Sequence, residues 1–95
     1  MYRIIDVRSN GKTNRLMLLA KENNALFICN NPRAMEAKAH NYGIVGINFI
    51  DYASALNNMK NFESQLVVID EIEQFVQYTL SNVGCLIGYT LSNED

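Results

Sequence analysis

Leu66-Val67-Val68-Ile69-Asp70-Glu71 is the stretch on which the reading of this chain turns: four apolar residues, three of them β-branched, running straight into two carboxylates. A run that short and that continuous predicts a strand buried on both faces, because a half-exposed strand alternates apolar with polar. The two carboxylates then fall where the chain leaves the sheet. Downstream, Ile72, Phe75, Val76 and Leu80 share one stripe at helical spacing and predict a helix from Glu71 to Leu80, followed by a last strand over Val83 to Leu91.

Upstream the same alternation recurs. Tyr2 to Val7, with Ile4, Ile5 and Val7, reads as a first strand, and Arg8-Ser9-Asn10-Gly11 as a turn. A helix starting near Lys12 carries Leu16, Leu19 and Ala20 on its apolar face, widened by Met17 and Leu18, and stops around Asn23-Asn24. Ala25 to Cys29 is a short strand. Asn31-Pro32 opens a second helix, with an amide at the N-cap and proline where no N–H is missed. Met35, Ala39 and Tyr42 share its face and Gly43 ends it. Ile44 to Ile50 is extended and interrupted by Gly46, and Asp51 caps a third helix bearing Tyr52, Ala55, Leu56 and Met59. The expected fold is therefore α/β: a three-layer unit with a mainly parallel sheet of about four to five strands flanked by helices.

The chain of 95 residues, 48% apolar, is read as one domain with no linker or repeat. No apolar run approaches the roughly 20 residues of a membrane span, and the start lacks a secretion-signal pattern, so no membrane partner and a cytoplasmic location are expected. Cys29 and Cys85 are far apart and have no metal-binding spacing, which favours two small buried hydrophobes over zinc or a disulfide. The net charge of −2 conceals a gradient. Residues 1–21 hold five basic side chains and one acidic, whereas from Asn61 onward there are six acidic and no basic ones. An ordinary solvated surface accounts for this more simply than a basic phosphate site or a head-to-tail neighbour, and a strongly nucleic-acid-binding domain is normally more basic.

Near the N-terminus, Gly11-Lys12-Thr13 follows the first strand and opens the first helix. Such a turn offers backbone N–H groups, an ammonium and a hydroxyl at a helix start that favours anions. A strand ending in paired carboxylates can hold a magnesium ion and a water. Arg8-Ser9-Asn10-Gly11-Lys12-Thr13 after Ile4-Ile5 resembles a Walker A motif, and Leu66 to Glu71 resembles a Walker B strand. The arrangement is similar to the P-loop NTPase superfamily, in the branch where a catalytic glutamate follows the Walker B aspartate, and in particular to small phage-encoded P-loop proteins.

The resemblance implies ATP with magnesium as cofactors. Asn10, Gly11, Lys12 and Thr13 would cradle the phosphates, Thr13 and Asp70 would hold the metal, Glu71 would polarise the attacking water, and Thr90 or Asn93 would be the polar sensor. It also implies the strand order 5-1-4-3-2 with the fifth strand missing, which leaves strand one at an edge as a surface for a protein partner or self-association. The motif departs from the family at one position: G-x-x-x-x-G-K-[ST] has glycine where this chain has Asp6. Either the turn is rebuilt with Arg8 offsetting the added charge, or the loop holds no nucleotide.

Two functions follow from the resemblance. One is an ATP-binding protein with weak ATPase activity serving phage nucleic-acid handling. The other is a catalytically inactive P-loop-like interaction protein, such as a phage inhibitor of a host or defence protein. A small kinase fits less well, since no lid or acceptor site is visible. Arg15 and Arg33 read as solvated helix residues before they read as trans-acting arginines, and His40 as a surface histidine before a ligand or base. Tyr2, Phe27, Phe49, Phe62 and Phe75 read as core.

Overall fold

The computed structural model describes residues 12–57 and 66–90. In chain order it contains α1 (Lys12–Asn23), β1 (Leu26–Cys29), α2 (Pro32–Asn41), β2 (Asn48–Asp51), α3 (Tyr52–Asn57), β3 (Val67–Ile69) and α4 (Ile72–Thr79). The expected strand Tyr2 to Val7, the Asn10-Gly11 turn, Met59, Phe62 and Asn93 lie outside the described residues. No described helix is long and apolar enough to cross a membrane.

The first two helices end in the same way. At the end of α1, Asn24 adopts φ 52°, its N–H donates to Lys21 O (3.3 Å) and the Ala25 N–H donates to Ala20 O (2.8 Å). At the end of α2, Gly43 adopts φ 75°, donating to His40 O (3.0 Å), and Ile44 donates to Ala39 O (2.9 Å). Both are Schellman motifs, with a left-handed residue reversing the chain and an apolar residue after it packing back on the helix. Ala25 and Ile44 are buried in the same cluster as Ala20 and Ala39. Each motif turns the chain back toward a strand. The starts of α2 and α3 are capped as the sequence predicts: Asn31 Oδ1 accepts from the Ala34 N–H (3.2 Å) and Asp51 Oδ1 from the Ser54 N–H (2.7 Å).

The sheet has the order β2-β1-β3, all parallel, with Phe27 opposite Phe49 and Val68 and Ile28 opposite Ile50 and Ile69. Side chains alternate across it. Phe27, Cys29, Phe49 and Val68 pack with Met17 and Ala20 of α1 and Ala39 of α2, with Phe27 and Phe49 edge-on at 5.1 Å. Ile28, Ile50 and Ile69 pack on the other face with Tyr52 and Ala55 of α3 and Phe75 of α4. All four residues of β1 are buried, as its central place requires.

The α/β class and the helix-covered parallel sheet agree with expectation, but the described sheet has three strands rather than four or five, and β1, the second expected strand, lies between the third and the fourth, whereas the order 5-1-4-3-2 puts the third between the second and the fourth. Val83 to Leu91 was expected to be a strand, yet a turn over Leu80 to Val83 leads into irregular backbone at 84–90. The backbone groups a strand would pair are instead held by one side chain. Gln77 Nε2 donates to Gly84 O (2.9 Å), and the Leu86 N–H donates to Gln77 Oε1 (2.6 Å). Cys85 in this segment is exposed, correcting the expectation of a buried thiol, whereas Cys29 is fully buried. The third expected strand is confined to 48–51, because Gly46 holds φ 87° and residues 44–47 stay irregular.

Candidate functional site

In an open parallel sheet, ligands bind outside the carboxyl ends of the strands where the winding reverses. Here β1 leads into α2 on one face and β3 leads into α4 on the other, so the reversal lies between these two neighbours. Its lips are Asn30-Asn31 on one side and Asp70-Glu71 on the other. The helix opened by Lys12 and Thr13 reaches the same edge by connectivity. α1 packs on β1 and β3 and joins the amino end of β1 through only Asn24 and Ala25. It therefore runs back along the sheet with its start toward the carboxyl edge.

Across that edge stand Asp51 at the end of β2, Cys29 at the end of β1 and Asp70 just past β3. Cys29 is in register with Asp51, and the Asp70 N–H donates to Ile28 O at 2.9 Å. Burial, reinforced by the charge of Asp70, pushes the Cys29 thiol up to about 11. The Asp51 carboxyl is held below its usual value by the hydrogen bonds from Ser54. Tyr52, at the start of α3, sends its hydroxyl to Asp70 O at 3.2 Å, and burial followed by the charge of Asp70 raises its phenol. The tyrosine ring lies edge-on to Phe75 at 5.2 Å.

Glu71 is a conformational outlier. It stands at φ 59°, ψ 68° immediately before α4, exposed, with its carbonyl accepting the first helical bond from Phe75 (3.1 Å) and with no side-chain cap hydrogen bond. A left-handed glutamate costs about 1–2 kcal/mol relative to an ordinary conformation. It swings the chain from a β3 carboxylate into a helix on the opposite face.

The residues singled out in the sequence are thus distributed unevenly. Thr13 is half-buried at the first turn of α1, Asp70 is half-buried at the end of β3, Glu71 follows it, and Thr90 is exposed in the irregular segment. A hydroxyl at a helix start and a carboxylate at a strand end are hard oxygen donors of the kind magnesium takes, with phosphate and water completing the shell. Among the described residues no group of three or more His, Cys, Asp or Glu could hold a metal by itself.

Two features escaped sequence reading. Asn14 Oδ1 is buried beside Thr13 and is the one buried side-chain polar atom among the described residues without a hydrogen-bond partner. Nothing in one asparagine's sequence context signals that. The second is a hollow of about 580 Å³ between α4 and residues 86–89, whose lining includes Asn30, Tyr52, Glu73 and Tyr78. Thr13, Asp70 and Glu71 do not line it. No protein-family model matches the chain, and comparison with curated proteins and with solved structures returned no match.

Proposed function

We propose that this chain is a P-loop-like nucleotide-binding protein that takes ATP with magnesium at the carboxyl edge of its sheet, with weak hydrolysis serving phage nucleic-acid handling. The observation that carries this reading is the shared edge. The helix opened by Lys12 and Thr13 packs on β3, which Asp70 and Glu71 follow, and by its connection to β1 starts toward the sheet edge where those carboxylates stand. In this reading Asn10 to Thr13 cradle the phosphates, the Lys12 ammonium balances their charge, Thr13 and Asp70 hold magnesium, and Glu71 orients the attacking water. The family resemblance supplies these roles and the phage setting.

Thermal unfolding with and without ATP and magnesium tests it. A ligand at 100 times its Kd adds about 2.7 kcal/mol, several degrees in a domain of this size. Lys12→Ala should abolish the shift, and Glu71→Gln should keep the shift and lose turnover. An absent shift at millimolar ATP refutes nucleotide binding.

Asp6 in the glycine position of the motif favours a second reading, a P-loop-like scaffold that binds another protein and no nucleotide. Val83 and Ile87, 83% and 98% exposed, are apolar contacts such a scaffold would offer.

A further inference from the structure

The hollow beside α4 has a chemistry of its own. Tyr78 lies beside Tyr52 with ring centroids 5.8 Å apart, and Tyr89 also lines the hollow. Glu73 supplies a carboxylate, the amides of Asn30 and Gln74 supply acceptors, and Leu86 and Ile87 supply apolar surface. Among the described residues no lysine or arginine lines it, and the sequence contains none beyond residue 60. Gln77 fixes the wall by bonding the backbone at both Gly84 and Leu86. The volume of about 580 Å³ suits a small ligand or a single long side chain.

The described lining disfavours phosphate, since the charge it presents is the Glu73 carboxylate. Aromatic faces beside a carboxylate attract the opposite charge, most strongly where water is partly displaced. An apolar floor beside them suits a methylene stem that carries its charge at the tip. The geometry points to a binding site for an organic cation, a guanidinium or alkylammonium group on an aliphatic stem, adjoining the carboxyl edge through Asn30 and Tyr52 but not lined by Asp70 or Glu71.

The same chemistry arrives on a free polyamine or on an arginine side chain, and amide NMR titrations of the full chain distinguish them. The probes are spermidine, the blocked tripeptide Gly-Arg-Gly and its citrulline counterpart. Saturable shifts at Gly84, Gly88 and the α4 amides, with a Kd in the millimolar range or tighter, are expected for at least one cation. Spermidine alone assigns a polyamine site, and the arginine peptide alone or more tightly assigns a protein partner. Glu73→Gln should weaken binding about tenfold and Tyr78→Ala about fivefold, whereas Tyr78→Phe should retain it. Tyr78 is 44% exposed, so its replacements leave the core intact, which circular dichroism verifies. Equal binding of the citrulline peptide, indifference to Glu73→Gln and Tyr78→Ala, or no saturable shift with either cation would each overturn the assignment.

Discussion

The Tyr52 hydroxyl donates to the Asp70 carbonyl at 3.2 Å, tying the first residue of α3 to the end of β3 across a strand neither belongs to. Tyr52→Phe keeps the ring and its packing on Phe75 and removes only this tie. The expected loss is about 0.5–1.5 kcal/mol in urea unfolding. If Asp70 serves as a metal ligand, the variant should also weaken magnesium-dependent ATP stabilisation more than metal-free binding. An unchanged unfolding midpoint would show that the hydrogen bond contributes nothing net.

The two thiols should behave differently. At pH 8 one thiol per native chain, Cys85, reacts rapidly with a disulfide reagent, and Cys29 reacts only in denaturant. The alkaline limb follows from the same burial. The native Cys29 thiol stays protonated to about 11 while the unfolded one ionises near 9.0, so the native state binds the extra proton. Its contribution is complete below pH 9 and is lost as pH rises through 11. Tyr52 acts in the same direction above pH 10. Cys29→Ala should flatten the slope between pH 9 and 10 in pH-dependent denaturation.

Asp51 governs the acid side. Its carboxyl is held below 3.8 by Ser54, so its stabilisation is present above that value and is lost as pH falls through the lowered one. Asp51→Asn keeps an acceptor for the Ser54 N–H and should remove the acid dependence, while Asp51→Ala should lower the urea midpoint at every pH.

Glu71 and Gly43 test backbone strain from opposite directions. Glu71→Gly should raise stability by about 0.5–1 kcal/mol by relieving a left-handed side-chain residue, and Glu71→Val should lower it. Gly43→Ala meets no atom within 4 Å, so its expected cost of about 1 kcal/mol is conformational alone. Thermal melts that rank these variants otherwise would remove strain from the account.

Much of the fold was legible because local signals and burial agreed. Asn31-Pro32 and Asp51 announced their caps, Asn24 and Gly43 their stops, and Ala25 to Cys29 a strand buried on both faces; Leu66 to Ile69 announced a strand but not its burial, since β3 ends the described sheet and leaves Leu66 and Val67 exposed. The failure at Val83 to Leu91 has a definite cause. Its apolar pattern suits a strand, but Gln77 lies on a different element and takes the backbone groups of Gly84 and Leu86. Sequence pattern does not convey competition between a side chain and a ladder. For the candidate site, the sequence named Thr13, Asp70 and Glu71 by side-chain chemistry and carried no sign of their conformation. Nothing in Asp-Glu foretells the positive φ at Glu71, and nothing in Asn14 foretells its unpartnered oxygen.

The central place of β1 has a consequence during synthesis. Leu26–Cys29 pairs first with a strand beginning at Asn48 and last with one ending at Ile69. At roughly 5–20 residues per second, its second edge waits about 2–8 s after Cys29 is made before Ile69 is joined to the chain. Over that interval the most apolar tetrapeptide of the sheet is an open template on the nascent chain, and chaperone demand should track the translation speed of the segment between β1 and β3.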